Sequence, residues 1–226
     1  MRSCEVQNLG RLGYAEALGV QLRLVGERKQ GLIPDQLLFV EHPHVITLGR
    51  NGHMENLLVQ QEALRSAGVE FHETNRGGDI TYHGPGQMVG YPIFDLREWK
   101  RDVVAYVRAL ESVLIDALAD FGVRCERMEG ATGVWVNGAK IAAIGIHISR
   151  WVTYHGFALN VNTDLNYFRY IVPCGLTKPV TSMAALGCEA PWQEIQTALV
   201  REFSRHFEFG IADTQHHPAL PCGVCA

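Results

Sequence analysis

The stretch IVPCGLTKPV, residues 171–180, sets Cys174 between a proline and a glycine. Proline fixes φ and withdraws a backbone donor, and glycine permits angles that other residues avoid, so the segment reads as a loop that turns its thiol outward. Only the thiolate is a competent nucleophile, and at neutral pH it needs a neighbour that lowers its pKa. The chemistry such a thiolate supports is nucleophilic attack, provided the sequence also holds its activator. By local sequence alone, Cys174 fits an inert surface thiol equally well, and no Cys-His-Asn protease pattern surrounds it.

Two other stretches carry chemistry-bearing residues. In RGGDITYHGPGQ, residues 76–87, Gly77, Gly78, Gly84, Gly86 and Pro85 surround Arg76, Asp79, Thr81, Tyr82, His83 and Gln87. Glycines let backbone N–H groups approach a ligand closely, and a strand between two such turns can line a pocket, although a plain hairpin explains the same spacing. The segment has neither the phosphate-loop nor the dinucleotide pattern. In NGAKIAAIG, residues 137–145, Lys140 follows a turn, where lysines ordinarily reach water. The apolar run Ile141, Ala142, Ala143, Ile144 and Ile146 predicts a strand buried on both faces, beside which an ammonium is desolvated and its pKa falls. Locally, the solvent-facing reading of Lys140 is the stronger.

The ten histidines form no HExxH motif and no tight Cys/His cluster. Cys222 and Cys225 make a lone CxxC near His216 and His217; a structural zinc needs four ligands, and incidental tail residues explain the pair better. His42, His44, His83, His147 and His155 fall in or near predicted strands, where hydrogen-bonded structural roles are commonest.

Holding these residues in place requires a sizeable scaffold, and 226 residues supply one. A charge of −4 builds no field for nucleic acid, although a local basic patch for an acidic partner remains compatible with it. The N-terminus lacks the apolar core of a signal peptide, no run of about 18 apolar residues exists, and six scattered cysteines read as reduced thiols; a cytoplasmic location is expected. Strands are predicted at 3–9, 36–41, 45–49, 69–75, 79–83, 88–94 and 151–161, with a hairpin over 133–148 turning at Asn137-Gly138. Helices are predicted at 13–29, 59–67, 102–121 and 191–209, with Pro191 in the first turn of the last. The expected class is α+β, a large mixed or antiparallel sheet flanked by helices. Residues 1–211 are expected to form one catalytic domain and 212–226 a loosely held tail.

Taken together, EHPHVITLGR (41–50), RGGDITYHGPGQMVGYPIFDL (76–96), GVWVNGAKIAAIG (133–145), HGFALNVNTDL (155–165) and IVPCGLTKPVTS (171–182) resemble the lipoyl(octanoyl) transferase family in order and spacing, over about residues 5–209. The resemblance implies a mixed sheet flanked by helices, similar to the catalytic domain of biotin and lipoate protein ligases. It implies transfer of an octanoyl group from octanoyl-acyl carrier protein to a specific lysine of lipoyl domains, those of 2-oxoacid dehydrogenase subunits and of the glycine-cleavage H protein. That transfer is the first step of endogenous lipoate synthesis. Cys174 takes the acyl-thioester position and Lys140 that of its pKa-lowering partner. Arg76, Gly77, Gly78, Asp79, Ile80, Thr81, Tyr82 and His83 match the main substrate-binding segment; Ala143, Ile144 and Gly145, and Gly156, Phe157 and Ala158, match the other two. No cofactor, metal, nucleic acid or membrane is implied.

Three rival readings differ in chemistry. An ATP-dependent ligase on the same fold needs no covalent cysteine, against which the setting of Cys174 argues. A cysteine hydrolase releases free octanoate. An acyl-binding module binds octanoate without an adduct.

Overall fold

Alternating apolar residues broken by glycines build most of the protein, a computed structural model that describes residues 2–172 and 178–212. Eight strands form one mixed sheet. In spatial order they are β11 (Phe209–Ile211), β1 (Arg2–Arg11), β2 (Asp35–Glu41), β6 (Gln87–Ile93), β10 (Val152–Asn160), β9 (Ala139–Ser149), β8 (Ala131–Val136) and β7 (Glu126–Met128). β1 runs parallel to both of its neighbours, and the remaining pairs are antiparallel. A second, three-stranded sheet, in the order β4 (Glu70–Glu73), β3 (Val45–Leu48), β5 (Ile80–His83), was not anticipated as separate.

The predicted helices are present as α1 (Tyr14–Lys29), α2 (Gln61–Ser66), α3 (Val103–Ala119) and α4 (Trp192–Phe207). The apolar stripe of α3, with Leu110, Val113, Leu114 and Ala117, buries against one face of the large sheet together with Leu199, Phe203 and Phe207 of α4. Asp102 caps α3 by accepting from Ala105 N at 2.9 Å. On the opposite face, Ala17, Leu24 and Val25 of α1 pack on Leu38, Val89, Tyr91 and Ala158. Arg28 pins this helix through Nε to Asp35 Oδ1 at 2.9 Å. Pro191 sits one residue earlier than expected, as the N-cap of α4.

The 133–148 hairpin turns as predicted, with φ of 48° at Asn137 and 79° at Gly138. β7, β11 and a 3₁₀ helix over Leu165–Tyr170 were not foreseen, because segments of three to six residues are too short to show a period. β9 departs from the two-sided burial expected of it. Ile141 and Ala142 are buried, but the strand is half-buried from Ala143 onward. The cause is register: β8 pairs with β9 only as far as Ala142, so the second half of β9 has an edge that β8 does not cover. Gly77 N donates to Ile146 O along that edge at 2.8 Å. Among the described residues no helix is long and apolar enough to cross a membrane.

Candidate active site

A cavity of about 890 Å³ is lined from both sheets. Its floor follows from strand alternation. Gln87, Val89 and Tyr91 of β6 present one face, and the register sets Asn160 opposite Gln87, Ala158 opposite Val89, Ala143 opposite Ala158 and Gly145 opposite Gly156. The small residues leave the room. At Gly156 a Cβ would lie 2.2 Å from Gly90 O, so even alanine cannot sit there without backbone movement. Ile144, Ile146 and Phe157, which pack toward α3 and α4, also line the cavity, so it reaches around the edge of β9.

The 76–83 segment forms one wall. Arg76 is buried, with Nη2 donating to Thr47 O at 2.7 Å and to Thr47 Oγ1 at 2.8 Å. Asp79 organises the neighbouring loop. Its Oδ1 accepts from Ile80 N at 2.7 Å and His53 N at 3.2 Å, and its Oδ2 accepts from Asn56 Nδ2 at 2.5 Å. Arg76, Gly77, Gly78, Asp79, Ile80, Thr81 and His83 all line the cavity, as do Ala143, Ile144, Gly145, Gly156, Phe157 and Ala158. Tyr82 does not. Alternation turns it to the other face of β5, where its ring stacks on Tyr167 and its OH meets His44 Nδ1 at 2.7 Å.

Two histidines of the cavity wall, His83 and His155, are neutral. Burial, then the neighbouring His42 and Arg76, push His83 down to about 3; burial, then Arg76, do the same to His155. His155 Nε2 lies 2.9 Å from Asn75 Oδ1, and Asn75 Nδ2 lies 2.6 Å from Tyr154 OH. His155 also holds a left-handed φ of 57°, which its backbone N–H bond to Gln21 Oε1 at 2.8 Å supports. His42 Nδ1 donates to Leu12 O at 2.7 Å, so its Nε2 accepts from Tyr91 OH. His44 and His147 are hydrogen-bonded as well, to Tyr82 OH and to Asn75 O.

Lys140 also lines the cavity. It lies opposite Trp135 in the hairpin, with Nζ 4.8 Å from the indole centroid; Lys178 Nζ is 5.4 Å from the same ring. Gly133 keeps this corner open, since a Cβ there would meet Ala142 O at 2.7 Å and Lys140 Cε at 3.4 Å. The backbone of Lys140 docks the chain that follows the cysteine loop: Lys140 N donates to Pro179 O and Thr181 N donates to Lys140 O, each at 2.9 Å. On the other side of that loop, Val172 N donates to Asn56 O at 2.8 Å. Cys174 itself, like Cys222, Cys225, His216 and His217, lies outside the described residues.

Tyr14, Asn56, Asn160 and Val107 line the cavity without having been singled out in the sequence. Asn160 was accessible by alternation from Gly156 and Ala158; Tyr14 and Val107, at helix positions that otherwise read as core, carry no such signal. Asp116, Glu202 and His206 come close enough to share a cation, but they lie on α3 and α4 and outside the cavity lining, and Arg205 pairs with both carboxylates.

Residues 13–204 match the model of the lipoyl protein ligase A/B catalytic domain. An octanoyltransferase of Solibacter usitatus is 64% identical over 92% of this chain and 95% of its own. The bipartite lipoate protein ligase of Thermoplasma acidophilum superposes with a TM-score of 0.78 at 15% identity, over 96% of this chain and 89% of that one. Biotin protein ligase of Aquifex aeolicus superposes at 0.53 and 11%, over 92% and 70%. The two structures share the fold, and the sequence relative shares the activity class, an acyltransferase. With a cavity walled by the glycine-rich segment and by Lys140, and with these relationships, the chain belongs to the octanoyltransferases of the lipoyl protein ligase A/B catalytic domain family.

Proposed function

We propose that the chain carries an octanoyl group from octanoyl-acyl carrier protein to the ε-amine of a lipoyl-domain lysine, by way of a thioester on Cys174, with Lys140 moving the protons. The observation that carries this reading is how the cysteine loop is rooted. Val172 is tied to Asn56 and Thr181 to Lys140, and both Asn56 and Lys140 are cavity walls. Cys174 is two residues beyond Val172, within about 7 Å of chain reach.

In the first half-reaction the Cys174 thiolate attacks the donor thioester, and backbone N–H groups of the glycine-rich wall are suited to the developing oxyanion. The S–C bond to the carrier's pantetheine arm breaks, and the Lys140 ammonium protonates the departing thiolate. In the second, the acceptor amine attacks the acyl-cysteine and gives its proton to neutral Lys140. The Cys174 thiolate leaves and the starting ion pair is restored. Thioester exchange is near neutral and amide formation is downhill, so no nucleotide is consumed. The apolar floor sets chain length: burying about seven CH₂ or CH₃ groups at ~0.8 kcal/mol each stabilises octanoyl binding by roughly 5–6 kcal/mol over a chain lacking them. One extra methylene is worth only ~1–3 kcal/mol, so neighbouring chain lengths are discriminated weakly.

Intact mass spectrometry after mixing with octanoyl-carrier protein tests this. One octanoyl adduct is expected on Cys174, discharged by a lipoyl domain without ATP. Transfer that proceeded without the adduct, or only with ATP, would overturn the reading.

A further inference from the structure

A buried chain of side chains fixes a single proton in the cavity wall. Asn160 Nδ2 meets the carbonyl of Thr181 at 2.9 Å. A carbonyl only accepts, so Asn160 must turn Oδ1 toward Gln87. Gln87 Nε2 donates to that Oδ1 at 2.9 Å and to Tyr82 O at 3.2 Å. The remaining amide atom, Gln87 Oε1, is an acceptor, and His83 Nδ1 lies 2.7 Å from it. Two backbone carbonyls, at opposite ends of the chain, therefore set both amide orientations and the histidine tautomer: the proton is on Nδ1 and the lone pair on Nε2.

His83, Gln87 and Asn160 are 6%, 2% and 4% exposed, so a misdirected group here would lose a hydrogen bond in a place water cannot easily repair. The Tyr14 ring stacks along His83 at 6.3 Å and 9°, and His42 meets it edge-on at 5.9 Å, which locks the ring plane. Among the described residues Nε2 has no hydrogen-bond partner, and His83 is a cavity wall.

We propose that His83 Nε2 is a hydrogen-bond acceptor for an N–H group of the substrate, and that Gln87 and Asn160 are positioning residues that hold it in that role. This rests on the reading above. The octanoyl chain and the thioester have no donor to offer. The amides of the carrier's pantetheine arm and the attacking amine do, and they share the N–H chemistry that Nε2 selects. A buried lone pair discriminates by leaving itself unpaired when a substrate lacks the donor. His83 stays neutral at working pH, so it accepts without acting as the general acid.

Nitrogen NMR on histidine-labelled enzyme reads the tautomer without turnover. Near neutral pH, His83 is expected as the Nδ1–H form in the wild type and as a mixture in Gln87→Leu. An Nε2–H form or an imidazolium in the wild type would overturn the proposal. Single-turnover acylation and discharge then locate the donor. If the arm donates, His83→Phe narrows the preference for octanoyl-pantetheine over octanoyl-ethanethiol by about tenfold. If the amine donates, discharge of the acyl-enzyme to a lipoyl domain slows by a similar factor. Neither change, in a folded variant, would also overturn it. A wild-type enzyme forming no Cys174 adduct would count against the covalent reading instead, and the tautomer would still be read.

Discussion

Thr181 donates its backbone N–H to the carbonyl of Lys140 at 2.9 Å, and its own carbonyl accepts from Asn160 at 2.9 Å. One residue thus joins the docking strand of Lys140 to the polar chain that ends at His83. The backbone that follows residues 173–177 is held from two sides, so this flanking stretch shares supports with Lys140 and with the binding wall.

Lys140→Arg separates fixed charge from proton transfer. Arginine keeps the charge but cannot give up a proton in the working range. Both acylation and discharge are expected to fail nearly as badly as in Lys140→Ala. Near wild-type rates in both steps would leave only an electrostatic role.

Trp135 lies beneath the Lys140 ammonium, a contact worth ~0.5–2 kcal/mol. Trp135→Phe keeps a ring there, whereas Trp135→Leu does not. Transfer is expected to fall about tenfold further in the leucine variant, beyond any difference in melting temperature. Equal rates in the two would remove the ring from the account.

Asp79→Asn leaves an amide where Oδ2 accepts from Asn56 Nδ2, setting donor against donor unless a neighbouring bond is given up. Because Asn56 O holds Val172, slower Cys174 acylation is expected, with a stability loss of ~1–3 kcal/mol. A stability loss with unchanged acylation would confine Asp79 to a purely structural role.

Gly156→Ala places a methyl 2.2 Å from Gly90 O and 2.6 Å from Pro92 Cδ. Overpacking of this kind costs ~1–3 kcal/mol, and a drop in melting temperature of about 3–10 °C is expected by calorimetry. An unchanged melting temperature would mean that β6 and β10 separate freely.

Acid should unfold the protein early. His83 and His155 are held at about 3 in the fold, against ~6.5 when unfolded. Between those values the unfolded chain binds protons that the folded chain does not. Their contribution is therefore complete above pH ~6.5 and is lost as pH falls toward about 3, by up to ~1.4 kcal/mol per pH unit for each histidine. His42, depressed by burial, adds in the same direction. Melting temperature should fall from pH ~6.5 to ~5, before most carboxylates titrate, and less steeply in His155→Gln. Melting that rose on acidification would contradict the neutral cluster.

The sequence by itself determined the helices and most strands, because periods of 3.6 and 2 are written locally in residues such as Val103, Val107 and Leu110 or Val89 and Tyr91. It determined the Asn137-Gly138 turn, which demands positive φ at both positions. It carried the family in five ordered segments, and with it Lys140 and the 76–83 wall. What it did not carry was register. The Gln87–Asn160 bond joins residues 73 apart, and nothing near either one records that they face each other. The place of Lys140 in a cavity wall was not written locally, because the stretch at 179–181 that bonds its backbone comes from about 40 residues further along the chain. β9 looked like a buried core strand because local hydrophobicity cannot tell a packed face from a cavity wall. Only the end of its pairing with β8 at Ala142 decided that, since an apolar strand that its hairpin partner leaves part-way opens space along that edge rather than filling it.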